Sequence, residues 1–246
     1  MASLARRRPR LLLGVAVALL VLAPPALWFR NSSLVRVEQV TVTGVEGPQA
    51  EQIRETLISA GADMTTLHVR EKALLESVSA YPVVRSLRTE TDFPHRLRII
   101  VNAYEPVAVL QASGGALTAV AGDGTLLRGS STRGLPLIGV RTTPGGNRLG
   151  RGETSVAVRL LADAPRSLRV RVDRVYRGPR GLAATMENGP KLYFGGTGRI
   201  EAKWEAAALV LAHDTSQGAA YLDLRVPERP VAGGLQPRPQ DTEPQL

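Results

Sequence analysis

The stretch REKALLESVSAYPVVRSLRTETDFPHRLRIIVNAY, residues 70–104, decides the fold of the first part of the chain. Its opening segment repeats apolar residues at helical spacing, and Pro82 ends that pattern; the inward face is Ala73, Leu74, Val78 and Tyr81. Two runs typical of strands follow, one from Val83 and one from Arg96, with TDFPH as the turn between them. The stretch therefore predicts a helix and a hairpin.

The residues before this stretch predict one more strand and one more helix. VRVEQVTVTG, residues 35–44, is rich in β-branched residues and closed by glycine, which is typical of a strand. GPQAEQIRETLISAG then offers Pro48 near a helix start and Gly61 near its end. The predicted order is βααββ, and both helices should lie on one face of a three-stranded sheet because each has a single apolar stripe.

From Pro106 onward the chain predicts a second domain. Short apolar runs alternate with Gly-Gly, Asp-Gly and Pro, and Asp123-Gly124 is a hairpin signal. Helices are predicted over residues 155–165 and 199–214, and strands over most of the remainder. The fold class is therefore α+β, with a mostly antiparallel β domain and flanking helices after the βααββ domain.

The N-terminus predicts a single transmembrane helix. Residues 11–29 carry no charge and are long enough to span a bilayer core of about 30 Å. Arginines before the span place the N-terminus in the cytoplasm and the rest outside. A cleaved signal peptide is the alternative, but Pro24 and Pro25 interrupt the place for a cleavage site. The predicted organisation is a basic tail (1–10), a transmembrane helix (11–29), a linker (30–34), the βααββ domain (35–104), the β domain (105–230) and a disordered tail (231–246).

Composition and motifs argue against several functions. The net charge of +9 comes almost wholly from arginine, without a clustered basic helix or a nucleic-acid-binding motif, so we expect no nucleic acid. The chain has no cysteine, and its three histidines are not at ligand spacing, so we expect no metal and no cofactor. No nucleophile elbow or P-loop is present. A membrane-anchored cell-wall-modifying enzyme remains the alternative, because a pair of carboxylates cannot be recognised without the fold.

The final strand poses the question of what pairs with it. In YLDLRVPERP, residues 221–230, side chains alternate so that Tyr221, Asp223 and Arg225 share one face, and Leu222, Leu224 and Val226 the other. Prolines then stop the strand. Its outer edge is either open to a partner strand or covered by an earlier strand, such as the one at residues 191–194.

The order of these parts resembles the FtsQ/DivIB family of bacterial cell-division proteins. The resemblance rests on VEQVTVTG at the start of the βααββ domain, on residues 69–110 ending in YEPVAVL, and on the closing YLDLRVPERP. The βααββ domain is similar to a POTRA domain.

The resemblance implies a non-enzymatic divisome scaffold that helps to regulate septal peptidoglycan synthesis. It implies a single-pass protein of the cytoplasmic (inner) membrane, enriched at the septum, that binds FtsB- and FtsL-type partners outside the membrane, with the last strand pairing with FtsB. Other divisome components would bind through POTRA. The partner-binding residues that it implies are Arg180, Lys203, Tyr221, Asp223, Leu224, Arg225 and Val226.

Overall fold

A computed structural model describes residues 33–213 and 218–234 of the chain. It divides into two compact units, one ending at Ala103 and one beginning at Tyr104. The predicted basic tail, the predicted transmembrane segment and the last twelve residues of the predicted C-terminal tail, 235–246, lie outside the described residues. Among the residues that are described, none forms a helix both long and apolar enough to cross a membrane.

The first unit has the predicted βααββ order. After a short 3-10 turn at Ser33–Val35, its elements are β1 (Gln39–Thr43), α1 (Ala50–Ala62), α2 (Glu71–Ser77), β2 (Val84–Asp92) and β3 (Arg96–Ala103). The strands lie in the order β1-β3-β2, with β3 parallel to β1 and antiparallel to β2. The N-terminal ends of β1 and β3 and the C-terminal end of β2 therefore share one end of the sheet.

Both helices of this unit cover the same face of the sheet. The central strand alternates buried and exposed positions, and its buried residues are Leu97, Ile99 and Val101. Against them lie the apolar sides of both helices, Ile53 and Leu57 from α1 and Leu74 from α2. α2 is shorter than predicted, because residues 78–81 continue as successive turns up to Pro82, although Val78 still joins the core.

The second unit is a nine-stranded sheet with helices. Its strands are β4 (Pro106–Ala112), β5 (Leu117–Ala121), β6 (Leu126–Leu127), β7 (Leu137–Val140), β8 (Val172–Gly178), β9 (Gly181–Met186), β10 (Lys191–Gly195), β11 (Tyr221–Asp223) and β12 (Val231–Gly233). Its helices are α3 (Glu153–Ala162), α4 (Arg166–Arg169) and α5 (Ile200–Ala212). The mixed α+β class is as predicted.

The strand order of this sheet is β12-β11-β10-β9-β8-β7-β4-β5-β6. Most neighbouring pairs are antiparallel, as predicted, but β4 with β7, β7 with β8, and β10 with β11 are parallel. The last of these pairs follows from α5, since a helix that crosses the sheet returns the chain in the same direction.

The core of the second unit lies between the sheet and α3 and α5. Trp204 of α5 is fully buried, with its ring 4.6 Å from that of Phe194 on β10. Its indole N–H donates to the Leu160 carbonyl of α3 at 2.8 Å. Tyr193 on β10 and Tyr221 on β11 point to the other face and are only partly buried. The last strands therefore present a tyrosine-bearing face away from these helices.

Candidate partner-binding surface

The predicted last strand, β11, is paired on both sides. It lies parallel to β10, with Leu222 opposite Leu192, and antiparallel to β12, with Leu222 opposite Ala232. The prediction that residues from 231 onward form a disordered tail is wrong for residues 231–233, because this short segment forms β12. The chain itself therefore covers the edge that the sequence left open, and β12 becomes the outer strand.

β11 is also shorter than predicted and ends at Asp223. The Asp223 carboxylate accepts a hydrogen bond from the Arg225 backbone N–H at 3.1 Å, a local turn that competes with strand pairing. Leu224 keeps one strand-like bond, donating its N–H to the Tyr193 carbonyl at 2.9 Å. Val226 was predicted on the apolar face with Leu224, but it lies beyond the strand with 55% of its surface exposed.

Asp223 and Arg225 form a tightly bonded ion pair. The Arg225 side chain donates from Nε to Asp223 Oδ1 at 2.9 Å and from Nη2 to Oδ2 at 2.7 Å. The side-chain hydrogen bonds from Arg225, together with its backbone N–H and its charge, hold the pKa of Asp223 below its ordinary value of 3.8, and the charge of Arg180 adds to this. The carboxylate therefore stays ionised at neutral pH.

Arg180 lies over two tyrosine rings on the same face of the sheet. Its guanidinium carbon is 4.9 Å from the ring centroid of Tyr193 and 5.6 Å from that of Tyr221. The two rings are 5.8 Å apart and tilted by 59°. These distances suit cation–π attraction and an aromatic pair. We call Arg180, Tyr193, Tyr221, Asp223 and Arg225 together the Arg–Tyr surface.

Two glycines allow this surface to form. A Cβ at Gly195 would lie 2.8 Å from Cγ of Arg225, and a Cβ at Gly233 would lie 2.3 Å from Cζ of Tyr221. The Arg225 stem and the Tyr221 ring therefore lie directly on backbone that has no side chain. Gly195 also has a φ of +69°, which favours glycine for a second reason.

The remaining predicted residues, Lys203 and Leu224, lie in the interior. Lys203 is buried on α5, and its Nζ donates to the carbonyls of Phe194 and Gly196 at 2.8 and 2.9 Å. Burial lowers the pKa of Lys203, and the nearby charge of Arg199 adds to this. Leu224 is fully buried. The fold therefore brings Arg180, Tyr221, Asp223 and Arg225 together at the surface and holds Lys203 and Leu224 beneath it.

Sequence reasoning missed Tyr193 and β12. Tyr193 alternates with Leu192 and Phe194, both fully buried, so the strand period alone would have placed its ring on the outer face beside Tyr221. β12 carries no comparable signal, since three residues between Pro230 and a glycine are too few to show a period.

The chemistry of the Arg–Tyr surface is that of recognition. Tyrosine and arginine are enriched in protein interfaces and among the residues that contribute most to binding. Within residues 33–213 and 218–234 no group of three or more His, Cys, Asp or Glu side chains could hold a metal ion. In the described part of the chain, the last strands combine an aromatic face that carries two arginines with an edge on β12 that pairs with no further strand, and added strands bind to edges of this kind in known complexes.

A comparison with known families finds a match in the second unit. The family model described as cell division protein FtsQ/DivIB, C-terminal, matches residues 108–225, from within β4 to just past β11. Residues 108–225 therefore match the C-terminal domain of this family, which supports a cell-division protein of the FtsQ/DivIB family. No curated protein matches the chain.

Proposed function

We propose that this chain is a non-enzymatic divisome scaffold that binds FtsB- and FtsL-type partners outside the membrane. A strand of the FtsB-type partner adds to the outer edge of β12, and the Arg–Tyr surface contacts the side chains next to that strand. Through this complex the protein helps to regulate septal peptidoglycan synthesis.

The observation that carries the proposal is the position of β12 at the end of the sheet. In the described part of the chain, β12 pairs with β11 alone, so its other side is an edge. A sheet edge offers backbone N–H and C=O groups in the spacing that an added strand needs. We therefore place the proposed site of strand addition at residues 231–233 and not at residues 221–226, where the sequence predicted it.

The Arg–Tyr surface supports the same site because it reaches β12. Tyr221 pairs with Gly233 across the two strands, and its ring lies over that glycine. A strand added to β12 would be separated from Tyr221 by β12 alone, a distance of about 10 Å at roughly 5 Å per strand spacing. Backbone pairing would then provide affinity, and the arginines and tyrosines would provide specificity, including a preference for acidic partner residues.

The first unit has the strand and helix order of a POTRA domain, and we propose that it recruits the protein to the septum through other divisome components. The proposed location is the cytoplasmic membrane, with residues 11–29 as a single span and both units outside. The match to the FtsQ/DivIB family model supports this location.

The alternative of an anchored cell-wall-modifying enzyme has less support. A general acid needs a carboxyl group with a raised pKa. The described carboxylates with a clear shift are Asp123, Asp223 and Glu228, and hydrogen bonds lower the pKa of all three, with an arginine among the partners of each. These carboxylates are therefore ionised and bound to arginine, which fits a role in stabilising the fold or in binding a partner and not a role as a general acid.

Two truncations test the proposed edge. One ends the full chain after Pro230 and removes β12; its matched control ends after Gly234 and keeps β12. Each tagged protein is purified from the membranes of its native cells, and co-purified FtsB- and FtsL-type proteins are quantified by mass spectrometry. We expect the control to retain both partners and the shorter chain to lose them at least tenfold.

Thermal unfolding of both truncations shows whether the sheet is intact, and it should change little because β12 contributes no fully buried side chain. Partners that remain on the shorter chain would contradict strand addition at β12. Equal loss from both chains would place the interface in residues 235–246 instead.

A further inference from the structure

The most exposed large apolar side chains of the first unit lie at one end of it. Leu34 and Phe93 are each 61% exposed and Leu67 is 47% exposed, more than any other large apolar residue described in this unit. They come from three separate segments of the chain, before β1, before α2, and in the turn between β2 and β3.

Hydrogen bonds join these three segments. The Thr66 hydroxyl donates to the carbonyl of Pro94 at 2.8 Å, and the Thr66 backbone N–H donates to the carbonyl of Val35 at 2.9 Å. Each of the three bonded residues is the immediate chain neighbour of one exposed apolar residue: Leu34 precedes Val35, Leu67 follows Thr66, and Phe93 precedes Pro94. We call Leu34, Leu67 and Phe93 the apolar tip.

The junction beneath the apolar tip is ordered. Thr66 is buried, and the carbonyl of Arg36 lies 3.0 Å from Nδ1 of His95, which can donate to it. The backbone N–H groups of Glu38 and Gln39 both donate to the carbonyl of His95. The backbone segments that carry the three exposed side chains are therefore held together by hydrogen bonds.

The apolar tip lies where the chain comes from the predicted membrane span. That span ends at Phe29, five residues before Leu34. Five residues reach at most about 18 Å when fully extended. Leu34 is consequently tied within about 18 Å of the predicted end of the span, and the headgroup region occupies roughly 5–7 Å of that distance.

The charges at the tip fit a surface of lipid phosphates. Arg96 is paired with Asp92 at 3.4 Å, and His95 lies 3.8 Å from Glu38. Arg36, two residues from Leu34, is exposed and has no ion pair with any residue in the described part of the chain. Apolar side chains that enter the interface beside an arginine that meets phosphate are the features of interfacial membrane binding.

From these observations we infer that the apolar tip rests in the headgroup region of the membrane that anchors the chain, so that the first unit is oriented on the bilayer as well as tethered to it. Each side chain gains by leaving water, and the short tether raises its effective concentration at the surface. The inference depends on the proposed membrane anchor.

The absence of cysteine makes a direct test possible, since one introduced cysteine takes a nitroxide label at a single site. The full chain with Phe93→Cys or Leu67→Cys is reconstituted in phosphatidylethanolamine–phosphatidylglycerol vesicles. The matched control is Ser79→Cys, exposed and close to the start of β2, at the opposite end of the sheet. The nine residues of β2 separate the two ends by roughly 26 Å, at about 3.3 Å per residue.

Electron paramagnetic resonance then compares the collision rate of each label with oxygen, which concentrates in lipid, and with an aqueous nickel chelate. We expect the labels at 93 and 67 to favour oxygen and the label at 79 to favour nickel. With Leu34→Ser and Leu67→Ser added, the label at 93 should shift toward nickel.

Vesicle flotation separates the two ideas being tested. A protein that floats with the vesicles while its label at 93 behaves like the one at 79 overturns the apolar tip but leaves the anchor standing. A label shielded from both reagents would indicate burial against protein and would overturn the inference as well. A chain that does not float refutes the anchor and this inference together.

Discussion

Lys203 is the only charged side chain among the buried residues that the structure describes. Its ammonium group donates to two carbonyls, that of Phe194 within β10 and that of Gly196 in the glycine loop that follows the strand. The sequence FGGTG resembles an anion-binding loop, and the fold instead shows two of its residues held by a lysine from the following helix. A buried polar group that meets its partners in this way fixes local geometry.

Replacing Lys203 with methionine should destabilise the second unit by about 1–3 kcal/mol, because the carbonyl of Phe194, in a buried hydrogen bond, and that of Gly196, in a partly buried one, lose their donor while the aliphatic packing is kept. Urea unfolding followed by Trp204 fluorescence measures this in a Trp28→Phe background, where Trp204 is the only tryptophan. Glu205→Met on the exposed side of α5 is the control and should change stability by less than about 0.5 kcal/mol. Unchanged stability with lost partner binding would show that Lys203 contacts a partner directly.

The Asp223–Arg225 pair predicts a pH dependence. Since the folded-state pKa of Asp223 is lowered, its contribution to stability is complete above the ordinary value of 3.8 and is lost as pH falls through the lower folded value. The unfolding free energy of the wild type minus that of Asp223→Asn should therefore be positive at pH 6 and shrink below about pH 3.8. A difference that stays constant down to pH 2 would mean that the pair does not stabilise the fold.

Much of what the sequence predicts about single residues follows from the alternation of side chains along a strand. It placed Tyr221 and Asp223 on one face and Leu222 and Leu224 on the other, as observed. It could not show that Arg180 folds back over Tyr193, because their approach depends on the β8–β9 turn and on sheet pairing that no local period encodes.

How well a helix or strand was predicted depends on the length of its pattern of apolar residues. α3 and α5 were predicted within a few residues of their observed ends, because ten or more residues of helical spacing are a strong signal. The prediction made β11 three residues too long. The apolar alternation continues to Val226, but the turn formed by the Asp223 side chain ends the strand at Asp223. β12 forms because it pairs with β11, so this strand depends on a tertiary contact and not on a local sequence pattern.

Gly233 tests how β12 is held. In Gly233→Val the new Cβ would occupy the position of the Tyr221 ring, so β12 should detach from β11. The Ala220 amide, which donates to the Gly233 carbonyl at 2.9 Å, should then exchange its hydrogen at least tenfold faster. Hydrogen exchange followed by mass spectrometry measures this, and the double variant Tyr221→Ala/Gly233→Val should restore slow exchange. Slow exchange in the single variant would show that the strand accommodates a side chain there.

The whole molecule contains two compact units, each with a large hydrophobic cluster of its own. The first cluster surrounds Ile53, Leu57 and Ile99, and the second surrounds Trp204 and Phe194. The sequence predicted both units from a change in character near residue 105, where helical stripes give way to short strands separated by glycine and proline. It could not predict the order of nine strands, since three parallel pairs join segments that are distant in the chain.

Separate cores predict separate unfolding. Leu57→Ala removes a fully buried side chain from the first unit and should destabilise that unit by about 2–5 kcal/mol. The unfolding of the second unit, reported by Trp204 in the Trp28→Phe background, should keep its midpoint, while circular dichroism should show an earlier loss of helix. A Trp204 midpoint that moves with the mutation would show that the two units unfold together.

The place of β12 in the strand order has a consequence for biosynthesis. The strand that forms the outer edge of the sheet is the last of the described strands to be synthesised, and α5 and β11 must be in place before it can pair. In the proposed topology, the nascent chain has no completed edge to offer until residues 231–233 have left the ribosome and crossed the membrane. Under the proposed function, chains that stall in synthesis or export before this point cannot bind a partner strand at the edge.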